Sequence, residues 1–281
     1  MKKISVIFPN YNNTPATLKY LHSLRSSQYP STALEIIMVD NNSSDHSWRK
    51  VKKFYPEVKI ITLNKNYGPA YARNRGLEIA RGELFFCSDN DQFLAPSTLK
   101  LLHDCLQDNP KIGVLGGQIL TPPPHSQLIS NGYHFNFFFG LENGINPTFP
   151  ALNFCDWVAG CGMMFRRQIY QEIGGFDEKF TFFAEDADFC LRVKKAGYQV
   201  ASLNKALIYH PLPKPLRSFE QYLNYYQAKF YLIQKHSPFP YKISSYFFHL
   251  TFFSWGRKLL RKPEFFSLKW RALLKVLRKK Q

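Results

Sequence analysis

The chain has 281 residues, 45% of them hydrophobic, and a formal net charge of +17. That length fits one large α/β domain, or one domain with an appendage, and allows a sizeable core. The five cysteines show no C-x-x-C spacing, which excludes a disulfide framework and a zinc site and favours a cytoplasmic protein. Only residues 4–8 are apolar before Pro9, so we expect no signal peptide and no export.

The positive charge is concentrated at the C-terminal end. Residues 201–281 contain 16 lysines and arginines but only two acidic residues, a net charge of +14, which leaves +3 for residues 1–200. This asymmetry predicts a near-neutral catalytic body, residues 1–215, and a basic region, residues 216–281, that binds an anionic partner.

Hydrophobic patterning predicts alternating strands and helices in the first half of the chain. Strands are predicted at residues 4–8, 35–39, 58–63 and 84–88, and helices at about 14–27 and 70–80. Such alternation is typical of an α/β fold with a parallel sheet. No G-x-G-x-x-G and no P-loop sequence is present, so neither of those phosphate-binding sites is expected.

Polar side chains follow the predicted strands, at the edge where open parallel sheets bind ligands. Pro9-Asn10-Tyr11 follows the first strand, Asp40 the second and Asp89-Asn90-Asp91 the fourth. An aromatic ring suits base stacking, a lone carboxylate suits a base or ribose, and paired carboxylates suit a divalent cation such as Mg²⁺ or Mn²⁺. The alternatives are an exposed loop aromatic, an Asx-turn or helix N-cap, and a solvated turn.

The second half adds further acids and a histidine. Glu185, Asp186 and Asp188 lie within four positions at the start of a predicted helix, more acids than capping requires. In residues 154–167, small residues would let a sugar approach the backbone. His210 ends a later strand as either a metal ligand or a hydrogen-bonded structural imidazole.

Residues 4–12, 39–45, 64–76 and 89–91 form an ordered set of motifs with the Glu185-Asp186 pair. This set resembles the inverting family-2 glycosyltransferases, and most of all the rhamnosyltransferase-like bacterial members. The resemblance implies the nucleotide-diphospho-sugar transferase (GT-A type) fold, with a mostly parallel central sheet, followed here by a helical basic extension. It also implies metal-dependent transfer of a sugar from a nucleotide-diphosphate donor to a hydroxyl acceptor.

The resemblance implies roles for individual residues. Asp186, with Glu185 as the alternative, would be the base that takes the proton of the acceptor. Asp89, Asp91 and His210 would hold Mg²⁺ or Mn²⁺, which would offset charge on the leaving diphosphate. The nucleotide-sugar ligands would be Pro9, Tyr11, Asp40, Asn66, Arg73, Asp89, Asn90, Asp156 and Gly160.

Two residues, Arg73 and Gln92, leave alternatives open. Arg73 could instead be a surface cation on an amphipathic helix. Gln92 stands where many family members have a further Asp, which leaves the metal geometry open.

The basic region predicts a helix at residues 218–235. Its apolar stripe would exclude Lys229 and Lys235 and contain Phe219, Tyr222, Tyr226, Phe230 and Ile233. The aromatic stretch at residues 243–255 is too short to span a membrane, and basic residues alternate with Leu and Trp beyond it.

This composition favours peripheral attachment to an anionic membrane surface, on the inner face of the cell membrane, where a lipid-linked glycan would be the acceptor. A helix pair packed on the catalytic domain is the structural alternative. A nucleic-acid partner is not expected, because the aromatics are clustered and no nucleic-acid module is visible. The competing functions are a non-catalytic nucleotide-sugar-binding relative and a basic nucleic-acid-binding protein.

Overall fold

The computed structural model describes residues 1–145, 151–212, 215–216, 218–250 and 264–278. The chain forms two compact units. The first consists of residues 1–133, 144–178 and 185–212, and the second of residues 134–143, 179–184 and 213–281.

The strands of the described residues form one large sheet and one hairpin. They are β1 (Ile4–Asn10), β2 (Leu34–Asp40), β3 (Lys59–Thr62), β4 (Leu84–Ser88), β5 (Phe93–Leu94), β6 (Ile112–Leu120), β7 (Leu128–Ser130), β8 (Tyr133–Asn136), β9 (Leu141–Gly144), β10 (Leu152–Cys155), β11 (Gly162–Arg166) and β12 (Gln199–Tyr209). The large sheet has the order β10-β12-β6-β11-β4-β1-β2-β3, with β5 beside β12 and β7 beside β6. The hairpin is formed by β8 and β9.

The helices of the first unit are α1 (Thr14–Arg25), α2 (Ser47–Phe54), α3 (Pro69–Ile79), α4 (Thr98–Asp108), α5 (Arg167–Ile173) and α6 (Glu185–Lys195). Among the described residues of the second unit, the helices are α7 (Phe219–His236), α8 (Tyr241–Leu250) and α9 (Glu264–Arg278). No helix of the described residues is both long enough and apolar enough to cross a membrane.

Central strands β1 and β4 are apolar along their length because both of their faces are covered. Val6 and Phe86 point to the face that packs with α1 and α4, whereas Ile7 and Phe85 point to the face that packs with α3. Such alternation follows from the two-residue period of a strand. The sheet is therefore a buried layer between helices, and only its edges are available for a site.

The predicted α/β fold is confirmed. All strands of the main path except β10 and β11 run in the same direction, so the sheet is mostly parallel. One detail of the prediction was wrong, because Pro9 does not break the first strand, which continues to Asn10. The ladder with β4 stops at Ile7, so the missing N–H of Pro9 removes no bond from it.

The predicted helix at residues 218–235 is confirmed as α7. Its start is fixed by a capping box, in which the Ser218 hydroxyl accepts from the Gln221 N–H and the Gln221 side chain accepts from the Ser218 N–H. The prediction that Lys229 lies outside the buried stripe was wrong, since Lys229 is 8% exposed and burial lowers its pKa. Phe219, expected inside the stripe, is 44% exposed because it begins the first turn.

Candidate active site

The carboxyl ends of β1, β2 and β4 meet at one edge of the sheet in the first unit. Asn10 pairs with Asp40 in the parallel ladder, and β4 lies on the other side of β1. The buried Asn10 side chain donates to Asp40 Oδ1 over 2.7 Å and accepts from Asn90 Nδ2 over 2.9 Å. The predicted convergence of the three strand ends is confirmed, and Asn10 is the residue that joins them.

Asn10 was not among the predicted site residues. The sequence did indicate Asn10, because parallel pairing of β1 with β2 brings the last residue of β1, Asn10, beside the last residue of β2, Asp40. A fully buried amide needs partners at both its oxygen and its nitrogen. Asn10 has them, since its oxygen also accepts from Thr17 Oγ1 over 2.8 Å.

Asp40 is 2% exposed, and its carboxylate accepts hydrogen bonds from other residues of the protein. Its Oδ2 accepts from the Ser43 N–H, three residues on, over 2.9 Å, and its Oδ1 accepts from the Ser43 hydroxyl over 2.6 Å. Tyr11 is 52% exposed at the same edge. Asn66 orders the turn before α3, because its Oδ1 accepts from the Gly68 N–H over 2.9 Å. Nucleotide binding by these residues stays a prediction.

Arg73 lies at the centre of the site. Its side chain is 2% exposed, which excludes the surface alternative. One guanidinium nitrogen lies 2.7 Å from Asp89 Oδ1, and the other lies 2.8 Å from Glu185 Oε1. The cation thus joins the end of β4 to the start of α6 and offsets the charge of the buried Glu185 carboxylate and of the partly exposed Asp89 carboxylate.

Gly160 packs directly against that guanidinium. A Cβ at position 160 would lie 3.1 Å from the nearer Arg73 nitrogen, closer than ordinary contact. The Gly160 N–H also donates to Asp186 Oδ2 over 2.8 Å. Gly160 therefore positions both Arg73 and Asp186, and its expected contact with a sugar stays a prediction.

Glu185 and Asp186 occupy different environments in the first turn of α6. Glu185 is buried against Arg73, and burial together with the neighbouring Asp186 raises the pKa of Glu185 above its ordinary value. Asp186 is half-buried and accepts two N–H bonds, from Gly160 and Ala187. Burial raises the pKa of Asp186 above its ordinary value in spite of those bonds. Of the two, only Asp186 combines a raised pKa with partial exposure and no guanidinium partner.

Asp89, Asp91 and His210 come together, although 119 residues separate Asp91 from His210 in the sequence. His210 Nε2 lies 3.2 Å from Asp91 Oδ1 and 3.8 Å from Asp89 Oδ2. The Nδ1 atom lies 2.7 Å from the Pro211 carbonyl oxygen, which turns Nε2 towards the acids. An imidazole whose second nitrogen is held by a carbonyl is the usual arrangement of a metal-ligating histidine.

The negative charges of Asp89 and Asp91 favour a cation beside them, whether the protonated imidazole of His210 or a metal ion. Burial disfavours the charged imidazole, but hydrogen bonds to Asp89 and Asp91 outweigh burial and raise the pKa of His210 to about 10. Burial likewise opposes ionisation of Asp89, but Arg73 and His210 bring the pKa of Asp89 below its ordinary value. Two carboxylates and an imidazole are a donor set that suits Mn²⁺ or Mg²⁺.

Cys161 is a neighbour of this cluster that the sequence did not reveal. One ligand atom each from Asp89, Cys161 and His210 lies within 4.8 Å of the others. Burial raises the pKa of the Cys161 thiol well above its usual range, so the sulfur is a neutral thiol. We therefore expect the carboxylate oxygens and the imidazole, rather than the thiol, to determine which metal ion the site prefers.

Gln92 and Asp156 also have defined places. Gln92 is 1% exposed, and its Oε1 accepts from the Asp89 N–H over 3.2 Å, which closes the acidic turn. Asp156 pairs with Lys194, nine residues after Glu185 along α6 and thus roughly 13 Å farther along the helix. The predicted role of Asp156 in donor binding stays a prediction.

The family model of glycosyl transferase family 2 matches residues 5–174 of this chain, which is more than half of its 281 residues. The protein belongs to glycosyl transferase family 2. The predicted family and the predicted enzyme class, a glycosyltransferase, are thereby confirmed. A second model, described as the N-terminal domain of galactosyltransferase, matches residues 149–213 of this glycosyltransferase.

Curated relatives share about a quarter of its residues. The probable glycosyltransferase YdaM of Bacillus subtilis is 25% identical over 223 residues, which cover 76% of this chain and 52% of YdaM. The chain thus spans about half the length of that relative. An N-acetylglucosaminyl-diphospho-decaprenol L-rhamnosyltransferase of Mycobacterium tuberculosis is 26% identical over 233 residues, with 74% and 75% of the two chains covered.

Solved structures of glycosyltransferases share the fold. Residues 1–349 of TarS from S. aureus superpose with a TM-score of 0.63 at 20% identity, covering 98% of this chain and 80% of that one. The mannosyltransferase PcManGT from Pyrobaculum calidifontis, in complex with GDP-Man and Mn²⁺, has a TM-score of 0.63 at 18% identity, with 100% and 88% covered. The expected GT-A type fold is confirmed by this likeness.

Proposed function

We propose that this family-2 glycosyltransferase moves a sugar, with inversion, from a nucleotide-diphosphate donor to a hydroxyl of a lipid-linked glycan. The name of the rhamnosyltransferase relative contains a saccharide linked through diphosphate to decaprenol, and the product here would belong to a bacterial surface polysaccharide. The observation that carries the proposal is the half-buried Asp186 carboxylate, which accepts from the Gly160 N–H, next to Glu185, which Arg73 joins to Asp89 at the end of β4.

Inversion needs one base on the side of the attacking hydroxyl. In the proposed step, Asp186 accepts the proton of the acceptor hydroxyl while that oxygen forms the new bond to the sugar carbon. The bond from the sugar to the diphosphate oxygen breaks on the opposite side, and the nucleoside diphosphate leaves with the bonding electrons. Glu185 keeps Arg73 in place, and Arg73 in turn keeps Asp89 ionised.

The cofactor would be Mn²⁺ or Mg²⁺, held by Asp89, Asp91 and His210. When bound, the ion would offset the negative charge that develops on the leaving diphosphate. Metal binding releases the proton of the imidazole, so we expect the affinity for the ion to rise with pH.

A transfer assay tests the proposed function as a whole. Nucleotide sugars are offered together with polyprenyl-diphosphate-linked saccharides, and release of nucleoside diphosphate is measured. We expect release that requires both substrates. A chain that binds a nucleotide sugar but never releases the diphosphate, with any acceptor, would instead be the non-catalytic relative.

Loss of one metal ligand gives the first prediction. Asp91→Asn should weaken Mn²⁺ binding at least about tenfold, because a ligand charge is removed while the shape of the side chain is kept. Binding is measured as free Mn²⁺ by electron paramagnetic resonance. Asp108→Asn, at the exposed end of α4, is the matched control. Equal Mn²⁺ affinity in the Asp91 and Asp108 variants would rule out the proposed ligand set.

Exposed apolar side chains of the second unit support the proposed interfacial attachment. On and before α8, Phe239, Ile243 and Phe247 recur every four residues and are 78%, 58% and 60% exposed. On α9, Trp270 and Leu274 are 42% and 44% exposed. Apolar side chains at such spacings form a stripe on one side of a helix, and the basic chain around them would attract anionic lipid.

Flotation with lipid vesicles tests this attachment. Wild-type protein should float with vesicles of phosphatidylcholine and phosphatidylglycerol at low salt, and less at high salt, where the attraction is screened. Ile243→Glu combined with Phe247→Glu should abolish flotation. Phe54→Glu, which alters a 53% exposed ring on α2, should leave it unchanged. If the wild-type protein floated equally with vesicles that contain phosphatidylglycerol and with vesicles that lack it, the proposed anionic membrane partner would be contradicted.

A further inference from the structure

The second unit contains a cavity of about 520 Å³ that no step above uses. Its walls come from residues 179–182, from α7 and from α9, all within that unit. The volume lies within the range of small-molecule sites, which is about 300 to 1,000 Å³. In the sequence, two residues separate the wall segment from Glu185.

The cavity side of α7 is distinct from its buried stripe. Its residues are Asn224, Gln227, Tyr231 and Gln234, at spacings of three and four, which places them on one side of the helix. Three of the four carry amides, which both donate and accept hydrogen bonds. Amides around an aromatic ring can bind sugar hydroxyls while the ring covers the apolar side of the sugar.

One of these amides has an unmet hydrogen bond. Gln227 Nε2 is buried and has no hydrogen-bond partner among the described residues. An unsatisfied buried donor costs about 1–3 kcal/mol. A rotation of the amide that turns Nε2 into the cavity would let it donate to an oxygen atom of a bound ligand and so recover that energy.

The charge of the cavity has one sign. Lys179, Lys235 and Lys275 line it, and no acidic residue is among the described lining residues. The ammonium nitrogens of Lys179 and Lys235 each lie 5.9 Å from the centre of the Tyr231 ring, so 11.8 Å is the upper limit of their separation. Positive groups this close to one ring favour an anionic ligand.

We propose that this cavity binds a phosphorylated saccharide, with the sugar against Tyr231 and the amides and with the phosphate near the three lysines. The ligand would be the phosphate-bearing part of the acceptor, an assignment that rests on the proposed function. Such a group can belong to a lipid-linked saccharide or to a soluble phosphorylated glycan, because both present a sugar ring bonded to phosphate.

Glucose 1-phosphate is the first probe, and its binding to the full chain is measured by calorimetry beside glucose and inorganic phosphate. We expect the sugar phosphate to bind more tightly than either part. Lys235→Gln combined with Lys275→Gln should weaken its binding at least about tenfold, since two charge-assisted contacts are lost. Gln227→Leu should weaken it as well. Lys242→Gln changes a lysine of α8 that does not line the cavity and should leave binding unchanged.

The second probe distinguishes the two sources. Phosphatidylcholine vesicles that contain a polyprenyl phosphate are compared with vesicles that lack it. Capture that the double lysine variant loses assigns the cavity to a lipid-linked ligand. Binding of glucose 1-phosphate without such capture assigns it to a soluble glycan.

Equal binding of glucose 1-phosphate by wild type and the double lysine variant would overturn the inference, because the probe would then occupy another site. Absence of binding would overturn it too. Stabilisation by a nucleotide sugar is measured in the same variants and should not change. Retained stabilisation together with a failed probe refutes only the cavity assignment, whereas a protein that no nucleotide sugar stabilises refutes the proposed function.

Discussion

Asp186→Asn is expected to lower the rate of sugar transfer by roughly 10²- to 10⁴-fold, the usual contribution of a general base. The amide is nearly the same size as the carboxylate but cannot accept a proton. Donor binding should be largely retained, because Asp186 contacts none of the strand ends that are predicted to hold the nucleotide, and of its partners Gly160 and Ala187 only Gly160 is a predicted contact of the donor sugar. Transfer is measured as nucleoside diphosphate release, and donor binding by calorimetry.

Glu185→Gln is the matched variant for this prediction. Glutamine can still accept from Arg73, so the site should keep its geometry and a larger part of its transfer rate. The raised pKa of Asp186 also predicts that the wild-type rate falls as the pH is lowered, since the protonated acid is no longer a base. Full activity of Asp186→Asn, with Glu185→Gln inactive, would move the role of base to Glu185.

Arg73→Met is expected to have the largest effect on stability. It removes a buried cation from between Asp89 and Glu185 and leaves both carboxylates without their main partner. Breaking a buried ion pair in this way costs about 3–5 kcal/mol. The midpoint of thermal unfolding should therefore fall by on the order of 10 °C.

Arg75→Met, two residues along the same helix, is the control. Arg75 pairs with Glu78 and Glu178, but the three side chains are 33%, 47% and 39% exposed. Exposed pairs of this kind contribute at most about 1 kcal/mol, so the midpoint should change little. Equal losses in the two variants would show that Arg73 is not the central cation of the site.

The parts of the site that follow from strand direction could be predicted from sequence. Parallel strands end at one edge, so the convergence of Asn10, Asp40 and Asp89 follows from the alternation of strands and helices. The three acids at the start of α6 were also visible, because they exceed what a helix N-terminus requires. The strand ends and the acids of α6 could both be predicted because each is recognised from residues that are close together in the sequence.

Contacts between distant segments could not be derived in this way. The burial of Arg73 depends on Gly160, which the antiparallel pairing of β11 with β4 brings to the end of β4, and on Glu185 at the start of α6. Cys161 beside Asp89 has the same origin. Burial of Lys229 was missed because an amphipathic pattern assigns charge to the outside, whereas the long lysine stem can be buried.

A panel of nucleotide-diphosphate sugars, scored by thermal shift with Mn²⁺ present, tests the central claim most directly. A ligand that binds only the folded state raises its apparent stability. The account predicts that at least one nucleotide sugar raises the unfolding midpoint, that Asp91→Asn removes the part of the shift that depends on Mn²⁺, and that Asp186→Asn keeps the shift. A midpoint that no nucleotide sugar or nucleoside diphosphate changes, with or without Mn²⁺, would contradict it.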